Sequence, residues 1–395
     1  DLILVTVRKG NFMKDNLEFI ATTTFGLEGV VKEEVKELGF KNMEVNNGEV
    51  RFTGDWETMC QANLWLRCAE RVLLKIGEFD AYDFDQLYEK TKALPWSDIL
   101  PENAEFPVQG KSVKSKLHSV PTCQSVVKKA IVDNMKDRYN TDWFNENGPL
   151  YQITVALYKD TATLTIDTSG SGLHKRGYRE LSTGAPLQET IAAGMIYLSR
   201  WSKDRVLIDP FCGSGTIPIE AAMMGKNIAP GLLREFDAES WPNVPDKTWQ
   251  KVRDEAEDAV DEKAEPRLIM GTDKDKNIVG IARHHARKAG VEDWIHFQKK
   301  EFSNFSSGRK YGYVITNPPY GERLSEKDEV EKLYDKIGEK FAPLDTWSFY
   351  ILTSHPDFEK IYGEKASKRR KLYNGGIKCH YYQYYGPWPP SDGEY

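Results

Sequence analysis

Two short stretches of this chain combine residue types that chemistry can use. The first is Asn317-Pro318-Pro319-Tyr320, which ends the apolar run Tyr313–Thr316. Two successive prolines fix φ and push the residue before each into an extended conformation, so the corner is stiff. Stiffness presents the Asn317 side-chain oxygen and the Pro318 carbonyl as two acceptors for one amino group on a flat ring. Tyr320 adds an aromatic face against which such a ring can stack. Held by both acceptors, the nitrogen directs its lone pair at an electrophile. No strong general base is required, because the attached proton becomes acidic once the nitrogen has gained its substituent. Attack by a pyrimidine carbon would need a cysteine in this corner, which has none. The second stretch is Asp209-Pro210-Phe211-Cys212-Gly213-Ser214-Gly215-Thr216, between an apolar run and a helical pattern. Glycines let backbone approach a ligand closely, and a helix N-terminus offers unpaired N–H groups to a carboxylate. A dinucleotide loop would need glycine where Pro218 stands, and no Walker phosphate loop is present. Cys212 reads as a buried spacer rather than a nucleophile.

The elements that must hold these corners follow from periodicity. From Leu187 onward, helices and strands alternate: helix 187–201, strand 206–209, helix 216–224, strand 268–272, helix 276–289, strand 294–299, strand 313–316, helix 329–341 and strand 348–353. Such alternation predicts a parallel sheet covered on both faces, with ligands beyond the carboxyl ends of its strands. The part before it reads as α+β. A strand over 17–24 precedes a helix ending at Gly39. Short strands flank Asn46-Asn47-Gly48, a helix covers 56–71 and a strand 72–79, and further strands occupy 151–158 and 162–167. The glycine-rich, basic stretch Ser169–Ser182 reads as a linker. His284 and His285 are adjacent, so on a helix they face different ways and read as structural.

Asp209–Thr216 resembles motif I of class I methyltransferases, the turn that holds the methionine part of S-adenosyl-L-methionine. By that resemblance Asp209, Pro210, Cys212, Gly213, Ser214, Gly215 and Thr216 belong to the cofactor site. Asp273, at the end of the next strand and followed by Lys274, is placed for the ribose hydroxyls. Glu301-Phe302 stands at the adenine end, where the family usually has an aspartate. The Asn317–Tyr320 corner marks amino methyltransferases acting on adenine N6, guanine N2 or a glutamine amide. Further stretches (FIATTTFGLEGVVKEEVKELGF, SGLHKRGYRE, APLQETIAAG, NPPYGERL and KLYNGGIKCHYYQYYGP) resemble the THUMP-domain RNA methyltransferases related to the 23S ribosomal RNA guanine-N2 enzyme. The resemblance implies an N-terminal extension over 1–16, a ferredoxin-like part over 17–75, an RNA-gripping THUMP part over 76–167, a linker over 168–185 and a class I, Rossmann-like methyltransferase domain over 186–395. It implies an RNA substrate, 23S ribosomal RNA or a large-subunit precursor, and no obligate protein partner. Methylation of adenine N6 in DNA or RNA, methylation of a protein glutamine, and a catalytically silent RNA chaperone stay open.

Composition bounds these readings. The net charge of −6 looks wrong for an RNA partner, but residues 226–266 alone contribute −5, leaving about −1 for the rest. Phe106–Ala130 carries Lys111, Lys114, Lys116, Lys128 and Lys129 with no acid, and Lys365–Ser391 is likewise basic without an acid. The first tract is a candidate phosphate contact, whose affinity would fall steeply with salt. Five scattered cysteines form no C-x-x-C pair, and neither they nor the seven histidines have metal-ligand spacing, which fits the reducing cytoplasm and no metal site. No apolar run approaches the ~20 residues of a membrane span. The run Leu2–Val7 lacks the leader and cleavage site of a signal peptide.

Overall fold

A computed structural model describes residues 16–181, 187–265, 268–320 and 327–390. Almost all of the expected extension 1–16, the end of the expected linker, and residues 321–324 after the proline corner lie outside them. These described residues form two compact units: those within 16–23, 31–173 and 235–255 make one, and those within 24–30, 174–234 and 256–390 the other.

The first unit is built on β1 (Leu17–Thr22), α1 (Glu28–Glu37, shared between the units), β2 (Lys41–Asn46), β3 (Glu49–Gly54), α2 (Trp56–Trp65), β4 (Arg71–Asp80), α3 (Phe84–Lys92), α4 (Trp96–Ile99), β5 (Val108–Val113), α5 (Val120–Tyr139), β6 (Ile153–Tyr158) and β7 (Thr161–Asp167). Its seven strands make one sheet in the order β2-β3-β1-β4-β7-β6-β5, antiparallel except for β5 beside β6. The boundary expected at 75/76 falls inside β4. The start of that strand pairs with β1 (Thr22↔Arg71 to Glu18↔Lys75), and the strand pairs along its other edge with β7 (Leu73↔Asp167 to Asp80↔Thr161).

The helix expected through residue 71 stops at Trp65. It begins on a reciprocal cap, with Asp55 accepting from Thr58 N at 2.9 Å. It ends because Leu66 turns extended and the next two amides, Arg67 N and Cys68 N, donate to the buried Glu34 carboxylate at 2.8 and 3.2 Å. The first basic tract is ordered structure, containing β5 and most of the twenty-residue α5. Part of the acidic insert also belongs to this unit: Trp241 stacks on Tyr151 with ring centroids 4.4 Å apart and donates its Nε1–H to Leu150 O at 2.8 Å.

The second unit comprises α6 (Glu189–Ser199), β8 (Leu207–Asp209), α7 (Thr216–Gly225), the end of α8 (Asp246–Asp258), β9 (Ile269–Asp273), α9 (Lys276–Lys288), β10 (Ile295–Lys299), β11 (Tyr313–Thr316), α10 (Lys327–Phe341), β12 (Ser348–Thr353), α11 (Phe358–Tyr362), β13 (Lys368–Asn374) and β14 (Ile377–Tyr384). Its sheet runs β10-β9-β8-β11-β12-β14-β13. The first five strands are parallel, and a β13–β14 hairpin is added antiparallel at one edge. Parallel strands buried on both faces read as continuous apolar runs, and every residue of β11 and β12 is buried. Side chains alternate across the sheet: Phe349 and Ile351 join the core with Tyr334, Ile337 and Phe341 of α10, while Tyr350 between them donates its hydroxyl to Ser199 O of α6 at 3.0 Å.

The expected linker is not a solvated tether. Ser169, at the end of the first unit, donates to Asn63 Oδ1 at 2.6 Å, and within the second unit Arg176 and Tyr178 are buried. Arg176 pairs with fully buried Glu220 of α7 at 3.3 Å.

Candidate functional site

In the second unit's sheet the chain runs from β8 outward to β9 and β10 on one side, and from β11 to β12 on the other. The order therefore reverses between β8 and β11, where an open α/β sheet offers a crevice at its carboxyl edge. The glycine turn leaves β8 and the proline corner leaves β11, so the two stand side by side. A direct bond joins them: Thr316 Oγ1 donates to Asp209 Oδ1 at 2.6 Å, and Phe211 N donates to the same oxygen at 3.1 Å. Asp209 is only 2% exposed. Burial pushes its carboxyl up to about 7, against the two donors, and the nearby Asp273 charge acts in the same upward direction.

A cavity of about 1020 Å³ opens at these strand ends. The glycine turn lends it Pro210 and Gly213, the end of β9 lends Asp273 and Lys274, and the segment after β10 lends Glu301 and Phe302. All four residues Asn317, Pro318, Pro319 and Tyr320 face it. Gly213 has φ +50°, and a Cβ built there would meet none of the described residues within 4 Å. Asp273 Oδ2 accepts from Gly213 N at 3.2 Å and Oδ1 from Asp275 N at 2.9 Å, which holds its carboxylate at the mouth of the turn. Phe302 stacks on Phe211, ring centroids 4.8 Å apart, giving one wall an apolar surface.

Five further residues expected on the ligand are not among those lining the cavity: Asp209, Cys212, Ser214, Gly215 and Thr216. The cause is the tightness of the turn. Cys212 N donates to Thr272 O at 3.0 Å, and burial, followed by the Asp209 charge, drives its buried thiol well above its ordinary pKa. Gly215 has φ +88°, and a Cβ there would come within 2.9 Å of Phe297 and 3.0 Å of Ala282. Ser214 O lies 3.2 Å from His285 Nδ1. Leu181 N donates to the other ring nitrogen, which puts the ring proton on Nδ1. Burial lowers the His285 pKa. His284 instead faces Glu180 at 3.1 Å, so the two histidines do point apart. The Thr216 hydroxyl accepts from Arg179.

The proline corner is braced from two sides. Tyr334 of α10 donates its hydroxyl to Pro319 O at 2.7 Å and lies 2.8 Å from Thr353 Oγ1 of β12. Tyr320 donates its hydroxyl to Asn317 Oδ1, while Cys379 Sγ of β14 lies 3.8 Å from the same hydroxyl. Burial raises the Tyr320 pKa, so the phenol keeps its proton and goes on donating. An amide oxygen carries two lone pairs, so the bond from Tyr320 orients Asn317 and leaves one acceptor position for a ligand.

Sequence reasoning missed part of the wall. Gln188 faces the cavity, as do Lys300, Lys336 and the hairpin tip Asn374–Ile377. Gln188 N donates to Asn374 Oδ1 at 3.4 Å. The Asn-Gly-Gly tip between alternating stretches is a readable hairpin signal, passed over where 365–391 is read for its charge and its family resemblance.

In the first unit, Lys111 lies on β5, Lys114 and Lys116 follow it, and Lys129 lies on α5, all exposed. Lys116 Nζ sits 4.8 Å over the Tyr82 ring and Lys129 Nζ 5.5 Å over Tyr88. Lys128 differs: its ammonium donates to Phe106 O at 3.0 Å and to Glu146 at 2.7 Å. A tract without acids in sequence thus acquires one in space.

Comparison with known proteins agrees with this geometry. A family model described as an RMKL-like methyltransferase domain matches residues 176–383. The ferredoxin-like domain of RlmL matches 18–73, and the THUMP domain matches 81–167. The chain is 49% identical over 377 residues to YpsC of Bacillus subtilis (strain 168), provisionally named an RNA methyltransferase, covering 94% of this chain and 97% of that protein. It is 34% identical over 375 residues to the ribosomal RNA large subunit methyltransferase K/L of Syntrophotalea carbinolica, covering 92% of this chain and 53% of that protein. The chain therefore spans about half the length of such K/L relatives. The crystal structure of SMU.472, provisionally named a methyltransferase and complexed with SAH, matches with TM-score 0.90 at 45% identity, over 96% of this chain and 100% of that one.

Proposed function

The chain belongs to the RMKL-like methyltransferase family, with ferredoxin-like and THUMP domains ahead of a Rossmann-like methyltransferase domain, and on that premise we propose that it methylates the exocyclic amino group of a base in RNA, N2 of a guanine in 23S ribosomal RNA. The observation that carries this reading is the Thr316–Asp209 bond, which sets the amino-binding corner beside the glycine turn on one cavity.

S-adenosyl-L-methionine, on which this family of methyltransferases depends, supplies an electrophilic methyl group when bound. The cavity wall fits it. Asp273 offers a carboxylate to a pair of ribose hydroxyls, Phe302 and Glu301 form the adenine end, and Gly213 leaves its backbone uncovered for the methionine portion. Lys274 and Pro210 complete that side. Asp209, Cys212, Ser214, Gly215 and Thr216 shape the turn without touching the ligand.

The base enters against Asn317–Tyr320. Asn317 Oδ1, oriented by Tyr320, and the Pro318 carbonyl accept the two hydrogens of the amino group and fix the nitrogen lone pair in one direction. Tyr334 keeps the Pro319 peptide from rotating, so the acceptors cost no reorganisation when the base arrives. The ring stacks on Tyr320, and a base from a paired region must leave its stack to reach this corner. Lys111, Lys114, Lys116 and Lys129 grip phosphates; Lys128 is already committed to Glu146 and contributes little.

Asn317→Ala is expected to lower methyl transfer about 10²-fold or more while calorimetric affinity for S-adenosylhomocysteine stays unchanged. Unchanged turnover removes Asn317 from the reaction. Tritiated-methyl transfer to large-subunit RNA, to DNA and to a glutamine-bearing protein separates the proposed substrate from the alternatives. Nucleoside analysis of the labelled RNA then distinguishes N2-methylguanosine from N6-methyladenosine.

A further inference from the structure

The same parallel sheet has a second cavity, of about 260 Å³, at its opposite edge, where β11 and β12 begin and β14 ends. Four cations border it, Arg200, Arg205, Lys368 and Arg370, and among the described residues no carboxylate does. The strand register builds this face. Gln383 of β14 lies opposite Lys368 of β13 and Tyr350 of β12, and Arg370, two residues from Lys368, shares its face.

Two donors here are unused. Gln383 is 1% exposed, and its Oε1 accepts from Tyr385 at 2.8 Å, which turns Nε2 the other way; that nitrogen, like Arg370 Nε, is buried without a hydrogen-bond partner among the described residues. Leaving such donors dry is unfavourable, and an acceptor on a ligand would remove that cost. Arg205 is fixed by two bonds to Tyr311 O and lies 5.0 Å over the Tyr313 ring. The C-terminal carbonyls of α6 do not oppose an anion strongly, since Tyr350 donates to Ser199 O and Arg200 N to Tyr197 O. At the rim, Tyr385 and Trp388 are 55% and 75% exposed, a large apolar area for water to hold.

Cations without acids, buried donors without acceptors and bare aromatic rings together define one chemistry: a phosphate attached to a flat heterocycle. We propose that this second cavity binds a nucleotide, with Arg370, Lys368 and Arg200 on the phosphate, Gln383 Nε2 donating to an acceptor atom, and Trp388 with Tyr385 stacking the base. The volume, just under the roughly 300–1,000 Å³ usual for ligand sites, suits one nucleotide. That nucleotide is either free or one unit of an RNA strand. The inference does not depend on which base the first cavity methylates.

The test is calorimetric titration of the full chain, with S-adenosylhomocysteine present to fill the first cavity, using 5′-AMP, 5′-GMP, inorganic phosphate and a single-stranded RNA decamer. Arg370→Gln and Trp388→Ala are each expected to weaken nucleotide binding about tenfold without changing the S-adenosylhomocysteine affinity. Trp388, on the rim, should leave the melting temperature unaltered, so its effect reads binding and not folding. Mononucleotides that bind and respond to both variants identify a free-nucleotide site. A decamer that alone binds and responds identifies a strand contact. The proposal is overturned if neither ligand responds to either variant, or if inorganic phosphate binds as tightly as the mononucleotides.

Discussion

The chain builds two seven-stranded sheets and places polar chemistry differently on each. In the mostly antiparallel sheet, β4 alternates half-buried and buried residues from Arg71 to Ile76, so charges sit along the strands and pair there, as Arg51 does with Glu49 of its own strand at 2.8 Å and with Glu78 of β4 at 3.0 Å. In the parallel sheet β11 and β12 are buried throughout, and functional polar groups collect beyond the strand ends. A half-exposed sheet can present a broad charged surface. A fully covered one concentrates its polarity at two edges, where a few residues carry a site.

The contrast can be broken or sharpened by mutation. The largest effect is expected inside the second unit: Glu220→Ala removes the buried carboxylate paired with Arg176 and should cost about 3–5 kcal/mol of stability in thermal or denaturant unfolding. Glu78→Ala, at a half-buried pair, should cost under about 1 kcal/mol, and equal losses would erase the distinction. Next comes Asp209→Asn. Burial raises the Asp209 pKa to about 7, so the folded chain keeps a proton that the unfolded chain releases near 3.8. Stability linked to that proton is full below about pH 4 and is lost as pH rises through 7. The asparagine variant should therefore gain on wild type by on the order of 4 kcal/mol between acid and neutral pH. A constant difference in melting temperature across that range would show that the carboxyl is ionised throughout. Asp273→Ala should weaken S-adenosylhomocysteine about tenfold and leave RNA affinity alone. Smallest per residue, charge reversal at Lys114 and Lys116 should flatten the salt dependence of RNA binding by about 0.7 log unit per lost phosphate contact, with no change in cofactor affinity. Reversal at Lys128 that weakened RNA equally would return that residue to the contact surface.

Much of the parallel sheet was legible because its signals are local. β11 and β12 fall on the residues expected of them, and the two corners announce themselves by proline and glycine. What failed was long-range. Nothing in the run after Trp65 says that a glutamate on another helix will take its next two amides. The β13–β14 hairpin was obscured because its alternating residues include many cations. Five turn residues expected on the ligand are not among the residues lining the cavity, since a motif names a stretch and not the direction of its side chains. The packing of Trp241 on Tyr151 across ninety residues has no local signature at all.

The double engagement of β4 bears on how this protein can be dissected. A fragment cut at residue 81, where the match to the THUMP model starts, would strip β7 of its neighbour from Thr161 to Asp167 and leave a row of unsatisfied amides at a raw edge, an invitation to self-association. Excision ahead of Arg71 would carry that neighbour along, though β4 would then be the bare margin. Only a piece reaching back to Leu17 takes both seams of the strand with it.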